Sequence, residues 1–117
     1  MSRQVLAAVP DMFFASKIRA TAEHLGVEVR FFRDVELLLS AVRERRPDLI
    51  VVDLQSTAFN AVELARRVRD LSEPNTVPLV GFYSHVLTEL QEEAQQAGYR
   101  VMPRSAFAAR LAEVLNG

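Results

Sequence analysis

The segment Arg45-Arg46-Pro47-Asp48-Leu49-Ile50-Val51-Val52-Asp53-Leu54 decides how the rest of the chain is read. Its two arginines suit the carbonyl end of a helix, and Pro47 stops that helix from continuing. Leu49 to Val52 are apolar at consecutive positions. A strand with one wet face would alternate, so this one is covered on both faces, as in a parallel sheet. The candidate strand is Leu49–Leu54, and toward its end stands Asp53, where an unpaired carboxylate loses hydration.

Outward from this strand the pattern repeats. Val5–Val9, Val27–Phe32, Val77–Phe82 and the weaker Arg100–Met102 are the other candidate strands. The last is short and contains Arg100, so an edge position is expected. A helix is predicted from Met12 to Leu25, with Phe14, Ile18, Thr21, Ala22 and Leu25 on one stripe and Gly26 as its stop. A second begins at Asp34, carries Leu37, Leu38, Ala41 and Val42 inward, and ends before Pro47. A third opens on Asn60-Ala61-Val62-Glu63, close to a capping box. It turns Leu64, Val68 and Leu71 inward, and Arg66, Arg67 and Arg69 outward as a solvated face. Ser84 or His85 starts the fourth, which closes at Gly98. Ser105 caps the fifth, which runs to about Leu115. Strands alternating with helices over residues 1–117 predict one domain, a doubly wound (βα)5 sandwich of the α/β class with a five-stranded parallel sheet.

Composition narrows the function. Fourteen basic and 15 acidic side chains leave a formal charge of −1. No field draws the molecule to nucleic acid or to an anionic membrane, and neither is expected as a partner. Without cysteine there is no disulfide, thiolate nucleophile or cysteine-held metal. Val5–Val9 is too short for a signal-peptide core or a membrane span, so a cytoplasmic location is expected. The glycines, at 26, 81, 98 and 117, form neither a dinucleotide fingerprint nor a Walker loop.

Ligands of an open parallel sheet collect beyond the carboxyl ends of its strands. That end brings up Pro10 and Asp11, Arg33 and Asp34, Asp53 to Thr57, Tyr83 to His85, and Pro103 to Ser105. Asp53 is the main candidate, as a phosphoryl acceptor or cation ligand. The plainer alternatives are that it caps its loop or pairs with Arg104. His24 reads as a solvated helix residue, and His85 as a surface cap in preference to an acid–base group. Met12, Phe13 and Phe14 cannot share one helix face, so one of them must stand near the surface. It either fills space beside Asp53 or meets a partner, and filling is the simpler reading.

The segment 45–54 resembles the third-strand region of receiver domains, the CheY-like, flavodoxin-like modules of two-component response regulators. Glu63-Leu64 and Arg66-Arg67 keep the family register, as does strand four through Ala97-Gly98. The resemblance implies that Asp53 is the phosphoacceptor. It also implies a Mg²⁺ site built from two acidic residues after the first strand. Those positions are Val9 and Pro10 here, which leaves Asp11, Asp53 and the Gln55 carbonyl as a weak or absent metal site. Asp11 is better placed to cap the first helix. The family's hydroxyl and lysine phosphate contacts fall on Tyr83 or Ser84 and on Ser105 or Arg104, of which Ser84 and Arg104 are the candidates.

The expected function is therefore a receiver-like signalling domain of two-component or phosphorelay type, a pseudo-receiver that works by protein contacts and is not an enzyme. A histidine kinase or an effector protein is the expected partner. The resemblance places the contact face at Val86, Glu89, Tyr99, Arg100 and Arg110, where a homodimer could also form. No output domain follows the fifth helix, so the effector is expected on another chain or in a longer gene product. The alternatives are a working receiver phosphorylated on Asp53 and a small α/β enzyme or ligand-binding domain using the same crevice.

Overall fold

The structure, a computed structural model, describes residues 3–84 and 88–117. In chain order the elements are β1 (Gln4–Ala8), α1 (Met12–Leu25), β2 (Glu28–Phe31), α2 (Val35–Glu44), β3 (Leu49–Asp53) and α3 (Ala61–Ser72). They continue as β4 (Leu79–Tyr83), α4 (Thr88–Ala97), β5 (Tyr99–Pro103), α5 (Arg104–Ala109) and α6 (Leu111–Asn116). The strands make one sheet in the order β2-β1-β3-β4-β5, every pair parallel. β5 is an edge strand, as expected, but at 5 residues (Tyr99–Pro103) it is longer than the predicted Arg100–Met102 and matches β1, β3 and β4.

Alternate residues of the apolar runs feed two cores, because successive side chains of a strand point to opposite faces. Leu6, Ala8, Ile50 and Val52 pack against α2, α3 and α4 through Leu38, Leu39, Leu64, Val68 and Ala94. Val5, Ala7, Leu49, Val51, Val80 and Phe82 pack against α1, α5 and α6 through Phe14, Ile18, Phe107, Leu111 and Leu115. Each fully buried Leu, Ile, Val or Phe contributes roughly 1.5–3 kcal/mol of transfer free energy. This two-sided burial is what the unbroken run Leu49–Val52 foretold. Asp53 continues the odd-numbered series and so belongs to the face of α1 and α5.

Local signals set most boundaries. The Asp34 carboxylate accepts the Leu37 amide at 3.1 Å, and the Asn60 side chain accepts that of Glu63 at 3.0 Å. Gly26 ends α1 in the left-handed region at φ 71°, where a side chain would be strained.

Four expectations need correction. Leu37 is 63% exposed, because the inward stripe of α2 centres on Leu38, Leu39 and Val42 and leaves Leu37 on its flank in the first turn. Leu71 is 39% exposed in the last turn of α3, past the point where Val68 enters the core. The fifth helix is two short ones broken at Arg110, whose backbone (φ −110°, ψ 19°) leaves the helical region. Phe107, Leu111, Val114 and Leu115, at the i, i+4, i+7 and i+8 spacing of one helix face, all pack on the sheet despite the break. Ser105 does not cap it. Pro103 holds the cap position, with no side-chain bond.

Candidate functional site

The strand order changes direction between β1 and β3, and the crevice beyond their carboxyl ends is where such sheets place ligands. Asp11 follows β1, Asp53 ends β3, Ser84 follows β4 and Arg104 follows β5. The fold therefore brings together all four of these predicted residues.

Asp11 faces two ways. Its Oδ1 accepts the Phe14 amide at 3.1 Å and so caps α1, an arrangement worth about 1 kcal/mol. Its Oδ2 accepts Arg104 Nη2 at 2.8 Å. The Arg104 bond, and after it the Phe14 amide, hold the Asp11 carboxyl below its ordinary pKa. The expected cap is present, and the turn toward a metal is replaced by a turn toward a guanidinium.

Arg104 is fixed from three sides. Besides Asp11, its Nη1 donates to Ser84 Oγ at 3.3 Å, and its guanidinium carbon lies 4.5 Å from the Phe14 ring centroid. Phe14 meets Phe82 edge-on at 4.9 Å, and Phe82 stacks on Phe107 at 4.8 Å. The cation thus closes the open end of an aromatic column, a contact worth about 0.5–1 kcal/mol at a partly exposed position.

Asp53 is half-buried. Its Oδ1 accepts the Gln55 amide at 3.1 Å, so it does cap its own loop, and Arg104 pairs with Asp11 in its place. Burial pushes its carboxyl pKa up. The Gln55 amide and the charge of Arg104 pull it down, while the Asp11 carboxylate adds to the rise. The Gln55 side chain is also engaged, its Oε1 accepting the Ser84 amide. Gln55 therefore ties the β3 end to the β4 end.

The residues do not fit a Mg²⁺ site. Such an ion needs near-octahedral oxygen ligands and usually one or two free carboxylates. The two positions where the resemblance implies acidic ligands hold Val9 and Pro10, and both Asp11 oxygens are engaged. The guanidinium already puts a positive charge at the mouth. Among the described residues no group of three or more His, Asp or Glu side chains gathers as a metal site. The cleft offers one fixed monovalent cation, one hydroxyl and one half-buried carboxylate. That set can hold an anion or brace the loops.

The predicted contact face fares unevenly. Glu89, Arg100 and Arg110 are exposed, Arg110 pairing with Glu113 at 3.1 Å. Val86 lies outside the described residues, as does His85. Tyr99 is no surface residue: it is 4% exposed and donates its hydroxyl to the Ala61 carbonyl at 2.8 Å. Burial pushes its phenol pKa well up. As the first residue of β5 it turns toward α3, which Arg100, alternating with it, does not. The α3 arginines lie on the solvated side as expected, Arg66 and Arg69 exposed and Arg67 partly so, and two of them also make contacts. Arg67 pairs with Glu36 of α2, and Arg69 donates to the Ala97 carbonyl at 2.9 Å.

Sequence reasoning missed two features. Of the three consecutive residues, Met12 and Phe13 are 72% and 81% exposed, while Phe14 is buried under Arg104. Phe14, which the sequence already placed on the Ile18 stripe, is the one that fills space, and not its exposed neighbours. Lys17, the only lysine, passed without a role, yet it shares a cavity with Phe13 and Arg104.

No protein-family model and no curated protein matches the sequence. Solved structures do match the coordinates. A response regulator from Hahella chejuensis superposes with a TM-score of 0.85 at 20% identity, over 98% of this chain and 93% of that one. The chain has the receiver fold. A chemotaxis protein of Vibrio cholerae gives 0.84 at 20% identity, over 99% and 98% of the two chains. The receiver domain of a Pseudomonas aeruginosa sensor histidine kinase, described with a magnesium ion coordinated in its active-site cleft, gives 0.82 at 20% identity, over 99% and 96%. The receiver fold is here combined with a cleft whose carboxylate faces a guanidinium.

Proposed function

We propose that this protein is a receiver-type signalling domain of the two-component kind that acts through protein contacts, with Mg²⁺-dependent phosphorylation of Asp53 impaired. One observation carries the reading. Asp11, the carboxylate nearest the missing acidic pair, is held at 2.8 Å by Arg104. A cation fixed at that point repels a divalent ion and supplies only part of the charge that the phosphoryl oxygens would need.

In this reading the protein is not an enzyme, needs no cofactor and works in the cytoplasm. No described helix is long and apolar enough to cross a membrane, which is consistent with that location. The partner is a histidine kinase or an effector protein, meeting the exposed side of α4, β5 and α5 through Glu89, Arg100 and Arg110. The same face is where a second copy would bind.

The test is an amide NMR titration with Mg²⁺ and then with beryllofluoride, a mimic of phosphoaspartate. We expect no shifts at Asp11, Asp53, Gln55 or Ser84 at millimolar Mg²⁺, with or without the mimic. Saturable shifts there that disappear in Asp53→Ala would establish a working phosphoacceptor and overturn the proposal.

A further inference from the structure

Beside the Asp53 crevice, between the start of α1 and the β5–α5 junction, lies an open cavity of 440 Å³. That volume is within the range of about 300–1,000 Å³ typical of small-molecule sites. Its walls are mainly apolar and partly aromatic, from Phe13, Phe14, Pro103 and Ala108, with hydroxyls from Ser84 and Ser105. Its charged lining residues are Lys17 and Arg104, and no described lining residue is a carboxylate.

The two cations differ in what they have left to offer. Arg104 is neutralised by Asp11. Lys17 has no such partner among the described residues. Its helical neighbours three and four positions away are Phe13, Phe14, Ala20 and Thr21, none of them acidic. The cavity therefore carries one uncompensated positive charge above a hydrophobic floor. Phe13, 81% exposed, stands at the rim as an uncovered aromatic face, whereas its neighbour Met12, 72% exposed, is not among the lining residues.

We infer that this cavity binds a small organic monoanion with a flat apolar body, such as an aromatic carboxylate. Lys17 takes the carboxylate, unengaged N–H donors of Arg104 assist, and Phe13 covers the ring. One net charge selects a monoanion over a phosphate dianion, and the apolar walls select an organic body over an inorganic ion. The site goes beyond the proposed function and stands whether or not Asp53 accepts phosphate. A ligand there would press on Arg104 and so reach the tie between Asp11 and Ser84 without any phosphoryl group.

The experiment is an amide NMR titration of the full chain with 2-naphthoate, with 2-naphthalenemethanol as the neutral analogue and inorganic phosphate as the bare anion. The expected result is saturable shifts at Phe13, Lys17, Arg104 and Ala108, with a Kd of about 1 mM or tighter, which modest contact per atom gives a ligand of that size. Lys17→Met weakens binding at least about tenfold, the worth of one charge-assisted hydrogen bond, while Lys17→Arg keeps it. Phe13→Ala also weakens it. Lys17 and Phe13 are both exposed, so these variants test the site without disturbing the core. Shifts that stay linear with concentration, equal binding of the neutral analogue, or an unchanged Kd in Lys17→Met would overturn the inference. So would phosphate binding at these residues without naphthoate binding, or a response only to an acidic peptide, which would make the cavity a protein-docking surface.

Discussion

Gly81, in the middle of β4, exposes how closely the cleft-forming strands are fitted. A Cβ built there would lie 2.6, 2.7 and 2.8 Å from Cδ2, Cγ and Cδ1 of Leu54. Leu54 is 5% exposed and immediately follows Asp53. Because Cγ is among the clashing atoms, turning the ends of the side chain cannot clear the contact. The whole Leu54 side chain must swing, or the Leu54 backbone must lift from β4. Forcing one extra methyl group into a packed core costs about 1–3 kcal/mol. Against this, Gly→Ala stiffens the unfolded chain by about 0.4–1 kcal/mol, a gain that applies because Gly81 has no positive φ. Gly81→Ala should therefore destabilise by about 1–2 kcal/mol net, lowering Tm by roughly 4–10 °C for a domain of this size.

Urea unfolding monitored by circular dichroism measures the loss, and a double-mutant cycle assigns its cause. Leu54→Ala alone should cost about 2–5 kcal/mol as a cavity substitution. In that background the added methyl group at position 81 meets open space and should be neutral or stabilising, a coupling of at least about 1 kcal/mol. Gly81→Ala should also shift the Asp53 and Gln55 amides, since the displaced side chain belongs to their loop. A Gly81→Ala variant as stable as the parent, or equally costly in the two backgrounds, would refute this account of the β3–β4 contact.

Other outcomes concern the cleft. Arg104→Met removes the charge while keeping an unbranched apolar side chain, so carboxyl NMR should find the Asp11 pKa returned toward its ordinary value and that of Asp53 raised further. Asp11→Asn should retain the cap and lose the ion pair, whereas Asp11→Ala loses both and should cost about 1 kcal/mol more in chemical unfolding. The two aspartates act oppositely on pH stability. The lowered Asp11 stabilises above the ordinary carboxylate range, and its contribution disappears as pH falls through its folded pKa. The raised Asp53 destabilises at neutral pH and is relieved as pH falls through its folded pKa, so Asp53→Asn should unfold at higher urea than the parent at pH 7. Tyr99→Phe removes a buried bond to the Ala61 carbonyl and should cost about 1 kcal/mol, read from the unfolding midpoint.

The fold was legible because its signals are local and repeated. Leu49–Val52 declares a strand buried on both faces, Asp34 and Asn60 cap α2 and α3, and Gly26 supplies the left-handed stop of α1. Where the reading erred, the deciding term was tertiary. Periodicity alone cannot say which flank of α2 the sheet covers, so Leu37 and Leu39 were exchanged. The break at Arg110 has no side-chain cap that the sequence could have announced. Tyr99 is similar: the family resemblance put it on the contact face, but β5 begins one residue earlier than read and turns its hydroxyl to the Ala61 carbonyl. The four cleft residues could be named because each ends or succeeds a strand. Their pairing could not, since Asp11 and Arg104 are 93 residues apart in sequence.

That pairing stems from a single position. Proline after β1 has a fixed φ and no carboxylate, so the first acid beyond the strand is Asp11, in the cap position of α1. A capping carboxylate keeps one oxygen free, and a cation there completes it. Arginine suits the place better than lysine, because its fork reaches Asp11 with one nitrogen and Ser84 with another while its plane rests on Phe14. A lysine ammonium would keep the charge but could not hold all three contacts at once. Arg104 thus joins the ends of β1, β4 and β5 into one braced rim, in a cleft where the metal-binding pattern of the fold would need those groups released.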